Sequence, residues 1–126
     1  MKLIITSSIR EIEMAILEPV FSLDTIKICA KKSLLGLGDT IKSSFKIKGT
    51  CLKKIDITSP GGAGRVVFLL QIGLGKAVLV TLKPKKDKKI GMNMTIKNPN
   101  FKNLLSRNLD LILKDLVAGN YIEYDV

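Results

Sequence analysis

The apolar positions of this chain follow two periods, and the change between them divides it into parts. Residues 1–6 are mostly apolar and predict a short strand. Behind them Ile9, Ile12 and Ile16 recur at helical spacing, and Ser8 and Glu11 have the S-x-x-E spacing of a capping box. Pro19 is expected to close that helix. A second helix is predicted over 23–35, with Ile26, Ala30 and Leu34 as its buried stripe and Lys27, Lys31 and Lys32 outside it. Two glycines and an aspartate in 36–39 end it.

From residue 44 the period falls to two. Residues 44–48 (SFKIK) alternate apolar and basic, which predicts a strand with one wet face. Residues 52–58 predict another, with Ile55 and Ile57 inward and Lys54 and Asp56 outward. The Pro- and Gly-rich stretch 59–64 predicts a flexible turn. Residues 65–72 form a continuous apolar run with polar ends, the pattern of a central strand buried on both faces. Residues 73–76 predict a hairpin, and 77–82 a second central strand. Pro84 places 83–89 at an edge or outside the ladder. Asn98 and Pro99 suit the N-cap and first position of a long helix striped by Phe101, Leu105, Leu109, Ile112 and Leu116, and Gly119 ends it. The acidic tail 121–126 is expected to add an edge strand. Helices grouped apart from a run of strands indicate an α+β fold in one domain spanning 1–126. The expected order is an N-terminal helical hairpin, a twisted antiparallel meander and a C-terminal helix.

Charge sharpens this picture. The net charge is +10, and it is uneven. Residues 25–109 hold eighteen Lys and Arg against three acids, Asp39, Asp56 and Asp87, whereas the two ends hold three bases and eight acids. Such a stretch builds a positive field that a polyanion feels. The densest part, 83–89, carries Lys83, Lys85, Lys86, Lys88 and Lys89 around one aspartate. There is no histidine, which removes Ser-His and Cys-His catalysis and the commonest acid-base near neutral pH. Cys29 and Cys51 are too few and too far apart in sequence for a zinc site, and they read as two half-buried thiols. Neither metal nor cofactor is expected. No apolar run reaches the ~18 residues of a membrane span. Arg10, Glu11 and Glu13 interrupt a signal-peptide pattern, so a cytoplasmic location without membrane contact is expected.

The middle of the chain, residues 53–89, resembles the RelE/ParE toxin superfamily of bacterial toxin–antitoxin modules, including its HigB-like members. The likeness rests on the basic strand LKKIDIT at 52–58, the turn GGAG at 61–64, the arginine-led strand RVVFLL at 65–70, and a following strand that ends in lysines. It implies a metal-free endoribonuclease that cuts messenger RNA on the ribosome by attack of a 2′-hydroxyl on phosphate, with a cognate antitoxin as partner. Cations held on strands suit phosphoryl transfer on physical grounds as well. Arg65, Lys54, Lys85 and Lys86 are the candidate catalytic cations. Lys53, Lys83, Lys88 and Lys89 are candidate RNA contacts. Such nucleases carry a proton-handling residue near the C-terminal end, yet residues 90–96 hold no Tyr, His or acid. Tyr121 and Tyr124 are candidates for that role, with Asp56 and Asp87 as possible substitutes. The missing acid-base leaves a second reading open, a non-catalytic ParE-like gyrase inhibitor or a plain basic nucleic-acid-binding module.

Overall fold

A computed structural model describes residues 1–14, 21–42, 48–59 and 62–126. In chain order these give β1 (Lys2–Thr6), α1 (Ser7–Ile9) running into a π-helical turn (Arg10–Met14), α2 (Leu23–Leu34), β2 (Asp39–Ile41), β3 (Thr50–Ser59), β4 (Gly62–Gln71), a 3₁₀ turn (Ile72–Leu74), β5 (Lys76–Pro84), α3 (Pro99–Ala118) and β6 (Tyr121–Asp125). The described strands form one sheet in the order β2-β3-β4-β5-β1-β6. The fold is α+β, and β3 through β5 form the expected antiparallel meander, to which β2 adds an unpredicted short antiparallel strand right after the expected turn. The sheet as a whole is mixed, because β1 inserts between β5 and β6, parallel to β5 and antiparallel to β6.

Both faces of the sheet centre are covered. Six consecutive residues of β5, Ala77 to Leu82, have no exposed surface, and Val66, Val67 and Phe68 of β4 have none. Burying Phe68 alone contributes about 1.5–3 kcal/mol. One face, here the back, carries α2, whose Ser33 and Leu34 line a cleft together with Cys51 and Leu70. The other, the front, carries α1, the π turn and α3. There Glu13 and Asn108 meet Thr81 and Val80. The two N-terminal helical segments therefore lie on opposite faces and do not stack as a hairpin.

The first helix departs from its capping box. Its N-cap is Thr6, without a side-chain cap. The Ser8 N–H is instead capped from a distance by the Asp115 carboxylate of α3 at 2.8 Å. A carboxylate from a neighbouring helix satisfies an orphan donor as well as a local Glu does. Ile16 and Pro19, the expected continuation, lie outside the described residues. So does most of the strand expected at 44–48, where Lys48 and Gly49 belong to a turn.

The other helices follow local rules. The Ser22 hydroxyl accepts from the Thr25 N–H at 3.2 Å and starts α2. Asn98 accepts from Asn100 N and starts α3, with Pro99 next, and Gly119 ends it at φ +76°. The buried faces are wider than the apolar stripes. Cys29 and Ser33 join Ile26 and Ala30 in α2, while Leu34 is only half-buried. Asn108 and Asp115 join the leucines of α3. Both thiols are free, with Cys29 buried and Cys51 half-buried. Burial pushes the Cys29 thiol above its usual range, opposed by the nearby Lys32 ammonium.

The glycine-rich turn is shorter than expected. Ser59 pairs with Gly62 and Ile57 with Gly64, so 62–64 belong to β4, and residues 60–61 lie outside the described residues. Gly64 is required on the back face, because a Cβ there would come within 2.2 Å of the Phe21 ring. With 62–64 paired in the ladder, a loop that cradles phosphate is not formed by these glycines.

Candidate nucleic-acid interface

Strand register decides which cations can act together. Lys54 pairs with Val67, Asp56 with Arg65, and Arg65 with Lys83, so Lys54, Asp56, Arg65 and Lys83 all point to the front. Lys53, one residue away, points to the back, where it lines a cleft with Leu34 and Cys51. It does not join the others.

Two of the front cations are held from within. The Arg65 Nε donates to Asp56 Oδ1 at 3.2 Å, and Nη1 donates to the carbonyls of Gly91 and Met92 at 3.1 and 3.3 Å. This guanidinium ties β4 to the segment that follows β5. Lys83 Nζ lies 3.2 Å from Oε2 of Glu13, a fully buried carboxylate. Oε1 of Glu13 accepts from Thr81 Oγ1 and Asn108 Nδ2, both at 3.0 Å. Asn108 Nδ2 also donates to the Val80 carbonyl at 2.9 Å. Val80 is the extra residue of a β-bulge, since Phe68 pairs with Leu79 and Val67 with Thr81. A buried carboxylate needs such partners, and Lys83 supplies the compensating charge. Apolar spacing concealed this network, because Glu13 and Asn108 sit among helix residues that read as polar positions.

The remaining lysines of the cluster stand on a folded platform. Asp87 N donates to the Pro84 carbonyl at 3.0 Å, and Met92 N to the Asp87 carbonyl at 2.9 Å. Asp87 Oδ1 accepts from the N–H groups of Lys89 and Ile90, so the one acid of the cluster is turned onto its own backbone. Asn98 Nδ2 bridges the carbonyls of Lys89 and Asn93 at 2.9 and 2.8 Å, which staples the segment to the start of α3. Met94 is fully buried and anchors it in the core. Gly91 fits against β5 because a Cβ there would lie 1.9 Å from the Pro84 carbonyl oxygen. Lys85, Lys86, Lys88 and Lys89 are exposed on this platform. Lys85 also lies 3.9 Å from Asp56 across solvent, a contact of small energetic weight.

Contrary to expectation, the front of β3 is not open. The segment 90–97 covers it, and Lys54 Nζ donates to the Met94 carbonyl at 3.4 Å. Beside this contact lies a cleft of about 380 Å³ lined by Asp39, Ile41, Lys42, Lys54, Met94 and Lys97, among others. The tyrosines are far from all of this. Tyr121 and Tyr124 belong to β6, three strand spacings from β4, about 14 Å at the usual interstrand distance. The Lys27 ammonium, from α2 on the back, sits 5.1 Å from the Tyr124 ring centroid. Neither tyrosine can pass a proton directly to a group held at Arg65.

No cluster of His, Cys, Asp and Glu suited to a metal ion occurs among the described residues. No helix among them is long and apolar enough to cross a membrane. No family model matches the chain, and no curated protein is significantly similar to it.

Proposed function

We propose that this chain is a nucleic-acid-binding module that holds a phosphate backbone on the platform of Lys85, Lys86, Lys88 and Lys89. One observation carries this reading. Four exposed lysines sit on a segment fixed by Asp87, Gly91, Met94 and Asn98, and the single acid among them faces inward. Fixed cations lose less freedom on binding than those of a mobile loop. The net +10 charge adds long-range attraction. Of the two readings left open by the sequence, this is the non-catalytic one. Arg65 and Lys83 serve the fold, and the acids nearest the exposed lysines are engaged, Asp56 with Arg65 and Asp87 with its own backbone.

The test is fluorescence anisotropy with a labelled oligonucleotide over a range of salt. Affinity should fall linearly with salt on a log–log plot, by about 0.7 in slope per phosphate contact on a single strand or 0.9 on a duplex. Replacing the four platform lysines with glutamine should flatten the slope by about 3. Salt-independent binding, or a variant with the wild-type slope, contradicts the proposal. The endoribonuclease reading is tested with the same protein in a translation extract. Message cleavage detected by primer extension and lost in Arg65→Ala would favour the RelE-like activity over plain binding.

A further inference from the structure

The cleft between β2, β3 and segment 94–97 combines apolar residues with three lysines and one aspartate. Its volume, about 380 Å³, falls near the lower end of small-ligand sites, about 300–1,000 Å³. Ile41 and Ile96, both half-buried, provide apolar surface. Lys42, Lys54 and Lys97 line the same cleft, with the Lys54 ammonium donating to the Met94 carbonyl. Lys42 and Lys97 are exposed, and neither has a hydrogen bond or ion pair among the described residues. One acid, Asp39, shares the lining, on the same sheet face as its cross-strand partner Lys54. It too has no ion pair among the described residues.

We propose that this cleft takes a single unstacked nucleobase, so that the preferred ligand of the chain is single-stranded nucleic acid. The proposal rests on the nucleic-acid reading above and names its substrate class. A duplex keeps its bases stacked and presents mainly phosphate to a lysine surface. Only an unpaired base can turn its faces onto Ile41 and Ile96, as bases do when held between apolar side chains. The phosphates on either side then meet the three lysines. The cleft opens on the same sheet face as the platform, with Lys54 two residues from Asp56 along β3 and Lys85 beside Asp56. One strand can thus run from platform to cleft. Asp39 would repel a phosphate, but it accepts a hydrogen bond from an exocyclic amine such as N4 of cytosine or N6 of adenine. Cytosine or adenine is therefore favoured over thymine or uracil.

Anisotropy titrations with labelled dodecamers separate the possibilities, using oligo-dC, oligo-dT, a duplex, and a strand of abasic sites with the same number of phosphates. Oligo-dC should bind about tenfold tighter than the abasic strand, the effect of one well-held base. It should also bind more tightly than the duplex. Oligo-dC and oligo-rC are compared in parallel, and the base-dependent gain should appear in whichever sugar series binds. Ile41→Ala with Ile96→Ala should remove that gain while the platform contacts persist. If that double variant does not fold, Asp39→Asn serves, and it should erase the preference of oligo-dC over oligo-dT. Equal affinity for abasic and base-bearing strands, or tighter binding of the duplex, overturns the cleft proposal and leaves the platform reading standing. Failure to bind any of the four overturns both.

Discussion

Glu13, Thr81 and Asn108 form a buried set in which Oε1 of Glu13 accepts two hydrogen bonds while Oε2 faces only the half-buried Lys83 ammonium, and this changes what Lys83 is for. A buried carboxylate left without its counter-charge costs about 3–5 kcal/mol. Lys83→Ala should therefore lower stability by about that much in urea unfolding. The pair Glu13→Gln with Lys83→Met should recover most of it, because the buried charge goes as well. A single Lys83→Ala variant as stable as the wild type would show that the pair is not a structural unit. Arg65 belongs to the same class of residue. Its donors on Nε and Nη1 bind Asp56 and two backbone carbonyls. From the sequence, a basic residue at a strand head is equally suited to phosphate or to such bonds, because only tertiary neighbours decide between them. Alternation along β3 puts Lys53 and Lys54 on opposite faces, since one residue switches the face, and Lys53, read from the sequence as an RNA contact, therefore lies away from the others. The segment that covers Lys54 comes from forty residues away, and no local pattern announces it.

At the scale of elements, the ends of α2 and α3 were legible, whereas the start of α1 and the front cover were not. Asn98, Pro99 and Gly119 act within four residues of themselves, so their spacing is enough to place α3. The apolar run at 65–72 likewise marked β4 as a central strand, and its burial on both faces bears that out. Segment 85–98 has neither helical nor strand period, so it read as a lysine-rich connection. Its order comes from Asp87, Gly91, Met94 and Asn98, residues that act through particular contacts. Gly91→Ala tests this order directly. A Cβ placed 1.9 Å from the Pro84 carbonyl oxygen must displace the backbone, and Gly91 and Met92 carbonyls would then be lost to Arg65. Oligonucleotide affinity should fall severalfold with no change in charge, and amide exchange over 87–92 should speed up. Unchanged affinity with faster exchange would mean that the platform's order is irrelevant to binding.

For the whole molecule, the surprise is the place of β1. The sequence predicts a strand at 1–6 but offers no sign that it would slot parallel to β5, because that pairing joins residues more than seventy apart. The insertion moves β6 and the terminal acids to one edge, where Asp125 pairs with Lys2 and Glu123 with Lys76. It leaves the platform lysines, near the far end of β5, clear of those acids. The Lys2 ammonium holds the Asp125 carboxyl below its usual range through a hydrogen bond and direct attraction. The charge asymmetry seen along the chain thus becomes an asymmetry in space.

The most direct measurement is a backbone amide chemical-shift map of the full chain titrated with a single-stranded oligo-dC dodecamer at low salt. Shifts should concentrate on 85–97 and on Asp39, Ile41, Lys42 and Lys54, and should leave α2 and β6 unmoved. Shifts confined to α2, β6 or the back of β3, or none at all, would contradict the account.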